Sequence, residues 1–280
     1  MTKPRMSFAR GRPMTRSVHP ALWPLAGLAA LALIGPLLAP YDPNAQDLVR
    51  VMEAPGSRHF LGTDHVGRDI LSRVLAGAPQ SLGLAVSCVA LAWSVGVTLG
   101  LLAANSGSVA RALIMRFADL MLAFPGLLLA LLFAGFLGGG VWPLLIGLTL
   151  AFWPQYARMT EAVAIGVLRE GHVEAARIAG FSERIILARH VLPPVLRAVM
   201  PLATLGVGQA IMSISALGFL GLGLKPPTPE WGAMINELLP FLTEGYVQMA
   251  APCVMIFVSV LTLTLAGRAL APASSGRSHD

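Results

Sequence analysis

Glu174, Ala175, Ala176, Gly180, Leu192 and Pro193 belong to one stretch, EAARIAGFSERIILARHVLPP (residues 174–194), which is charged although long apolar runs flank it. Glu174, Arg177, Glu183, Arg184 and Arg189 crowd into sixteen residues. The small alanines permit close backbone approach, so the stretch is suited to lying in a groove on another protein. Other combinations suggest reactive chemistry but do not sustain it. His65 beside Asp64 invites a metal reading. The structural reading is that Thr63 or Asp64 caps a short helix while Asp69 pairs with Arg73 one turn later. The six histidines include no HExxH arrangement, so no metal site is expected. Cys88 and Cys253 lie in apolar runs outside any CxxC spacing. No GxSxG elbow and no GxxxxGK loop ending in Ser or Thr occurs, so neither acyl transfer nor ATP hydrolysis has residues to carry it. Asp119 is an acid inside an apolar run, three residues after Arg116. That spacing predicts a helix-surface ion pair at the membrane interface rather than a proton relay.

The elements that position these residues follow from composition. Of 280 residues, 55% are hydrophobic and 12% charged, about half the charged fraction of a soluble domain. The net charge of +6 does not indicate nucleic acid, because the basic residues flank apolar runs instead of gathering on one soluble face. A bilayer core needs roughly 20 apolar residues as helix. Six runs approach that length, at 21–39, 82–104, 117–137, 141–157, 198–224 and 246–267. The expected fold is all-α, a polytopic membrane protein with about six transmembrane helices.

The first run follows a basic tail (1–20) with Lys3, Arg5, Arg10, Arg12 and Arg16, and reads as a retained helix because five more spans follow. A cytoplasmic tail puts residues 105–116, 158–197 and 268–280 inside as well. Those four segments hold 15 of the 20 Lys and Arg residues. The outer loop is then 40–81, with an amphipathic segment. The membrane core is 82–267, the charged segment 158–197 is cytoplasmic, and both termini are cytoplasmic.

Within the charged segment, Glu174 to Ala179 favour a helix ending at Gly180, a residue suited to left-handed backbone. Ser182 is placed to cap a second helix carrying Ile185, Ile186 and Leu187. Pro193 and Pro194 predict its end near Leu192. Physics alone leaves two readings, a docking element and a solvated loop that only enforces topology. The candidates for a pathway or gate are Pro125, Gln209, Ser213, Ser215 and Trp231. Pro125 predicts a kink. Gly206, Gly208, Gln209 and Ser213 are small or polar groups that need partners in lipid. Trp231, after the PPTP run, reads as an interface anchor, and the alternative is that the segment around 232–241 folds back over the outer mouth.

Glu174-Ala175-Ala176, three residues, Gly180, then twelve residues to Pro193 resembles the EAA motif of importer-type ABC transporter permeases. His190-Val191-Leu192-Pro193 matches the form seen in one subfamily. LGTDHVGRDILSRVLAG (61–77), IMRFADLMLAFP (114–125) and ALGFLGLGLKPPTPEWGAM (216–234) resemble hallmark stretches of the dipeptide, oligopeptide and nickel permeases, in particular the second permease of such systems. The resemblance implies a MetI-like permease fold and a non-catalytic pore subunit in the bacterial inner membrane. It implies no cofactor on this chain, with ATP and Mg on two partner ATPase subunits, a related permease completing a heterodimer, and an extracytoplasmic substrate-binding protein. It also implies that Glu174, Ala175, Ala176 and Gly180 set docking on the ATPase while Leu192 and Pro193 tie the docking helix to the fifth span. Two positions depart from the pattern: Pro79 stands where relatives commonly carry Arg, and Met212 to Ser215 lack the acidic residue many carry there. A self-sufficient secondary transporter or channel is the alternative reading, although Asp119 is nearly its only intramembrane charge.

Overall fold

The computed structural model describes residues 22–270; the basic tail and the segment after Leu270 lie outside the described residues. Backbone groups in lipid must be satisfied within their own segment, and every apolar run is helical. Helix α1 (Leu22–Ile34) tightens into a 3-10 turn over Gly35–Leu38. Residues 39–69 form an irregular loop whose one bridge pairs Thr63 with Asp69. Helix α2 (Ile70–Asn105) begins twelve residues before its apolar run, because Asp69 caps it by accepting from the Ser72 amide at 2.7 Å.

The third run is not one span. Helix α3 (Ser108–Ala123) and helix α4 (Gly126–Phe136) meet at an 85° bend. Pro125 holds Phe124 in extended backbone (φ −85°, ψ 137°) and has no amide hydrogen, so the α3 ladder stops at Ala123. Gly138, Gly139 and Gly140, all with positive φ, then turn the chain into helix α5 (Val141–Leu168). This helix extends well past the expected end at residue 157, so Arg158 and Glu161 are helical rather than in a loop.

Helix α6 (Gly171–Ile178), helix α7 (Glu183–Ile186) and helix α8 (Leu192–Phe219) carry the charged segment back into the bundle. The expected break near Leu192 is absent. Residues 187–191 form a π turn, and helix runs from Glu183 to Phe219. The π turn has already interrupted the i→i−4 ladder where Pro193 and Pro194 lack donors, so the prolines end nothing. Helix α9 (Trp231–Leu238) with a 3-10 turn over Leu239–Phe241, and helix α10 (Tyr246–Leu270), complete the described chain.

The runs Ile70–Asn105, Glu183–Phe219 and Tyr246–Leu270 are each long and apolar enough to cross a bilayer, and the bent α3–α4 pair is long and apolar enough only when its two helices are taken together as one broken span. Helices α2 and α5 form the central pair. A Cβ on Gly96 would stand 2.5 Å from the Trp153 carbonyl, and one on Gly100 2.6 Å from the Ala157 carbonyl. Only glycine lets these backbones approach so closely, the usual way helices associate without a hydrophobic driving force. Helix α8 packs on α2, α5 and α10, and α9 on α8 and α10.

Candidate functional site

Helix α6 ends as its sequence suggests. Gly180 adopts φ +82°, its amide donates to the Arg177 carbonyl, and the Phe181 amide donates to the Ala176 carbonyl at 3.2 Å. This pair of bonds is a Schellman motif, which satisfies carbonyls that helix ends leave free. Val173, Ala176 and Ile186 face inward and are buried, whereas Glu174 and Ala175 are exposed. Ser182 occupies the cap position of α7, but its side chain makes no capping bond. Arg177 joins the two helices: its Nε donates to Glu183 Oε1 at 3.0 Å, and a second nitrogen lies 3.7 Å from Glu174. The hydrogen bond and charge of Glu183, then Glu174, raise the guanidinium pKa further. The outward face is apolar, with Ile178 81%, Phe181 49% and Ile185 39% exposed. The sequence reading treated Ile185 and Ile186 alike; the structure exposes the first and buries the second. Leu192 is half-buried and Pro193 exposed in the first turn of α8, where the Pro193 carbonyl accepts from Arg197.

A second cluster joins the 39–69 loop to α9. Arg68 donates to Asp64 at 2.6 Å and to Glu237 at 2.6 Å, and Arg73 donates to Glu237 at 3.0 Å. Arg68, Arg73 and Asp64 are buried and Glu237 is 14% exposed. Asp69 is taken by the Ser72 amide and the His59 ring, so the expected Asp69–Arg73 side-chain pair gives way to pairs reaching across the fold. Asp64, His65 and Glu237 bring ligand atoms within 4.8 Å of one another. Arg68 and Arg73 already engage both carboxylates, a charge balance that disfavours a cation there.

Glu230, buried at the start of α9, caps that helix by accepting from the Gly232 and Ala233 amides, and also accepts from Ser81. Burial raises its carboxyl pKa against the pull of those three bonds. Trp231 is fully buried and its Nε1 donates to the Val74 carbonyl at 3.0 Å, so it is not an interface anchor. Gly77, Gly218 and Gly232 leave room for this socket: a Cβ on Gly77 would press the indole at 3.3 Å, and one on Gly218 would overlap Glu230.

The pathway candidates do not come together. Gln209 is exposed and Ser213 half-buried on one stripe of α8 with Leu205 and Met212, while Ser215 is buried against Gly232 and Trp231 is enclosed. Pro125 stands exposed at the α3–α4 bend. Gly206 and Gly208 face this chain's own Tyr156 and Leu263 rather than outward. Asp119 pairs with Arg158 of α5, not with Arg116. Glu161, 7% exposed, accepts from Arg111 at 2.7 Å and lies 3.8 Å from Arg158, so four charges bridge α3 and α5. Glu161, Glu237 and Arg68 gave no local signal in sequence. Glu230 did, as an acid immediately before a helix start.

A family model described as "Binding-protein-dependent transport system inner membrane component" matches residues 96–276. The chain belongs to that family. This permease is 36% identical over 254 residues to the nickel transport system permease protein NikC of Escherichia coli (strain K12), covering 91% of this chain and 92% of NikC. It is 39% identical over 245 residues to the di/tripeptide transport system permease protein DppC of Pseudomonas aeruginosa (strain UCBPP-PA14), covering 85% and 81%. The glutathione transport system permease protein GsiD of Pectobacterium atrosepticum is 36% identical over 244 residues, covering 87% and 81%. Among solved structures, the inward-facing MetNI methionine ABC transporter superposes with a TM-score of 0.59 at 18% identity, over 71% of this permease and 96% of that chain. The likeness bears out the expected all-α permease fold, and the permease is a transport component of the inner membrane.

Proposed function

We propose that this permease forms half of the translocation pathway of an ATP-driven importer and receives the movement of partner ATPases through residues 170–191. The observation that carries the reading is the outward apolar face of Ile178, Phe181 and Ile185 on a short helix pair whose turn is fixed by Gly180. Exposed apolar groups on an otherwise charged, water-facing segment suit a protein partner. ATP and Mg belong on two ATPase subunits, since this chain has no phosphate-cradling loop. A related permease completes the pathway as a heterodimer, and an extracytoplasmic binding protein selects the cargo. NikC, DppC and GsiD are named for nickel, di- and tripeptides and glutathione, and cargo of that range, small peptides or nickel and metal chelates, suits this chain.

The proposed topology has six spans, α5 and the short α1 included, with both termini cytoplasmic, as the distribution of 15 of 20 basic residues favours. In a background lacking Cys88 and Cys253, cysteine at Val49, 94% exposed in the outer loop, should label from outside intact cells. Cysteines at Arg12 and Ser275 should not. Uptake by the reconstituted complex should require both ATP and the binding protein. Uptake by this chain alone, in a proton gradient without ATP, would instead establish the secondary-transporter reading.

A further inference from the structure

Three cavities line up along one side of the bundle. Two, of about 460 and 430 Å³, share Leu25 of α1, Val86 of α2, Val207 of α8 and Leu263 of α10 as walls. The second shares Met200 with a third, of about 240 Å³, whose lining includes Arg197. The walls of the first two are apolar apart from Ser87, Thr204 and the indole of Trp93, whose buried Nε1 has no partner among the described residues, and the Thr204 hydroxyl is turned onto the Met200 carbonyl. The groove thus offers its occupant hydrocarbon along its length and a cation at one end. Arg197 is exposed, and its one hydrogen bond among the described residues uses Nε alone, donated to the Pro193 carbonyl at 3.3 Å. The remaining guanidinium donors find no partner among the described residues.

We propose that the groove between α1, α2, α8 and α10 holds an acyl chain of an anionic phospholipid from the cytoplasmic leaflet, with its phosphate on Arg197. The length fits. Val207 to Arg197 is ten residues of helix, about 15 Å, half of a hydrocarbon core of about 30 Å. The charge fits as well, because a basic side chain between helices at the cytoplasmic boundary attracts anionic head groups. The inference rests on the topology proposed above, which sets Arg197 on the cytoplasmic side.

The test is native mass spectrometry of the transporter, purified with its partner subunits from vesicles of equal phosphatidylethanolamine and phosphatidylglycerol. Wild type should retain phosphatidylglycerol in preference. Arg197→Gln should lower the ratio of the two retained lipids about fivefold, the equivalent of about 1 kcal/mol for one cation. Gly83→Phe puts a ring into the groove from a position whose Cβ would meet nothing within 4 Å, and should remove retained lipid of either kind without lowering the melting temperature. Equal retention of both lipids by wild type, or an unchanged complement in both variants, overturns the proposal and leaves only belt lipid. Uptake by the same preparation tests the permease reading separately, since lipid retention is read without transport.

Discussion

The 170–191 segment and the α9 cluster both hold opposite charges in contact, yet they are built in opposite ways. In the first, Arg177, Glu174 and Glu183 pair in water and the neighbouring apolar groups Ile178 and Phe181 face outward. In the second, Arg68, Arg73, Asp64 and Glu237 pair out of water, and glycines close the backbone around Trp231 and Glu230. Exposed pairs contribute little to stability, whereas a buried charge that loses its partner is costly. The first region can therefore change partners cheaply, and the second fixes α9 and the 39–69 loop as one body. Residues that matter for transmission should be separable by experiment from residues that matter for folding.

The largest effect should come from the buried side. Glu237→Ala leaves Arg68 and Arg73 short of a counter-charge and should destabilise the chain by about 3–5 kcal/mol, read as a lower melting temperature and faster proteolysis of the purified complex. A melting temperature equal to wild type would remove the distinction between the two regions. Next comes Ile178→Asp, which sets a carboxylate on the exposed apolar face. Uptake should fall at least about tenfold, corresponding to about 1.4 kcal/mol of docking free energy, with no change in melting temperature. Parallel loss of both would make the segment a folding element.

The smallest effect sharpens the comparison through pH. The folded-state pKa of Glu230 is raised above 4.5, so the fold prefers the protonated acid. Its contribution is fully present below that value and declines as pH rises toward the folded-state pKa. The melting temperature of wild type relative to Glu230→Gln should therefore fall as pH rises above 4.5. A rise would show that the three hydrogen bonds to the carboxylate outweigh its desolvation.

Features governed by local chemistry were legible in the sequence. Gly180 announced its positive φ, Pro125 announced a kink that the structure enlarges to an 85° bend between two helices, and apolar length announced helices at each run. Where a neighbour decides, the sequence reading went astray. Arg158 lies 39 residues from Asp119, and Glu237 lies 169 from Arg68, distances over which a one-chain pattern carries no pairing information. Trp231 looks like an interface anchor until α2 and α8 are seen to enclose it. Pro193 and Pro194 would end an α-helix, and they fail to do so only because the preceding five residues take a π turn.

The central claim is that residues 170–191 transmit ATPase movement, and Gly180→Val tests it most directly. A Cβ at this position meets no neighbour within 4 Å, so the main effect is on a backbone at φ +82° that a β-branched residue resists. With the complex assembled and this chain at wild-type membrane levels, ATPase activity should cease to respond to loaded binding protein. Uptake should drop at least about tenfold, equivalent to roughly 1.4 kcal/mol of lost coupling. Wild-type uptake and a wild-type ATPase response at matched expression would contradict the account and reduce the segment to a topological loop.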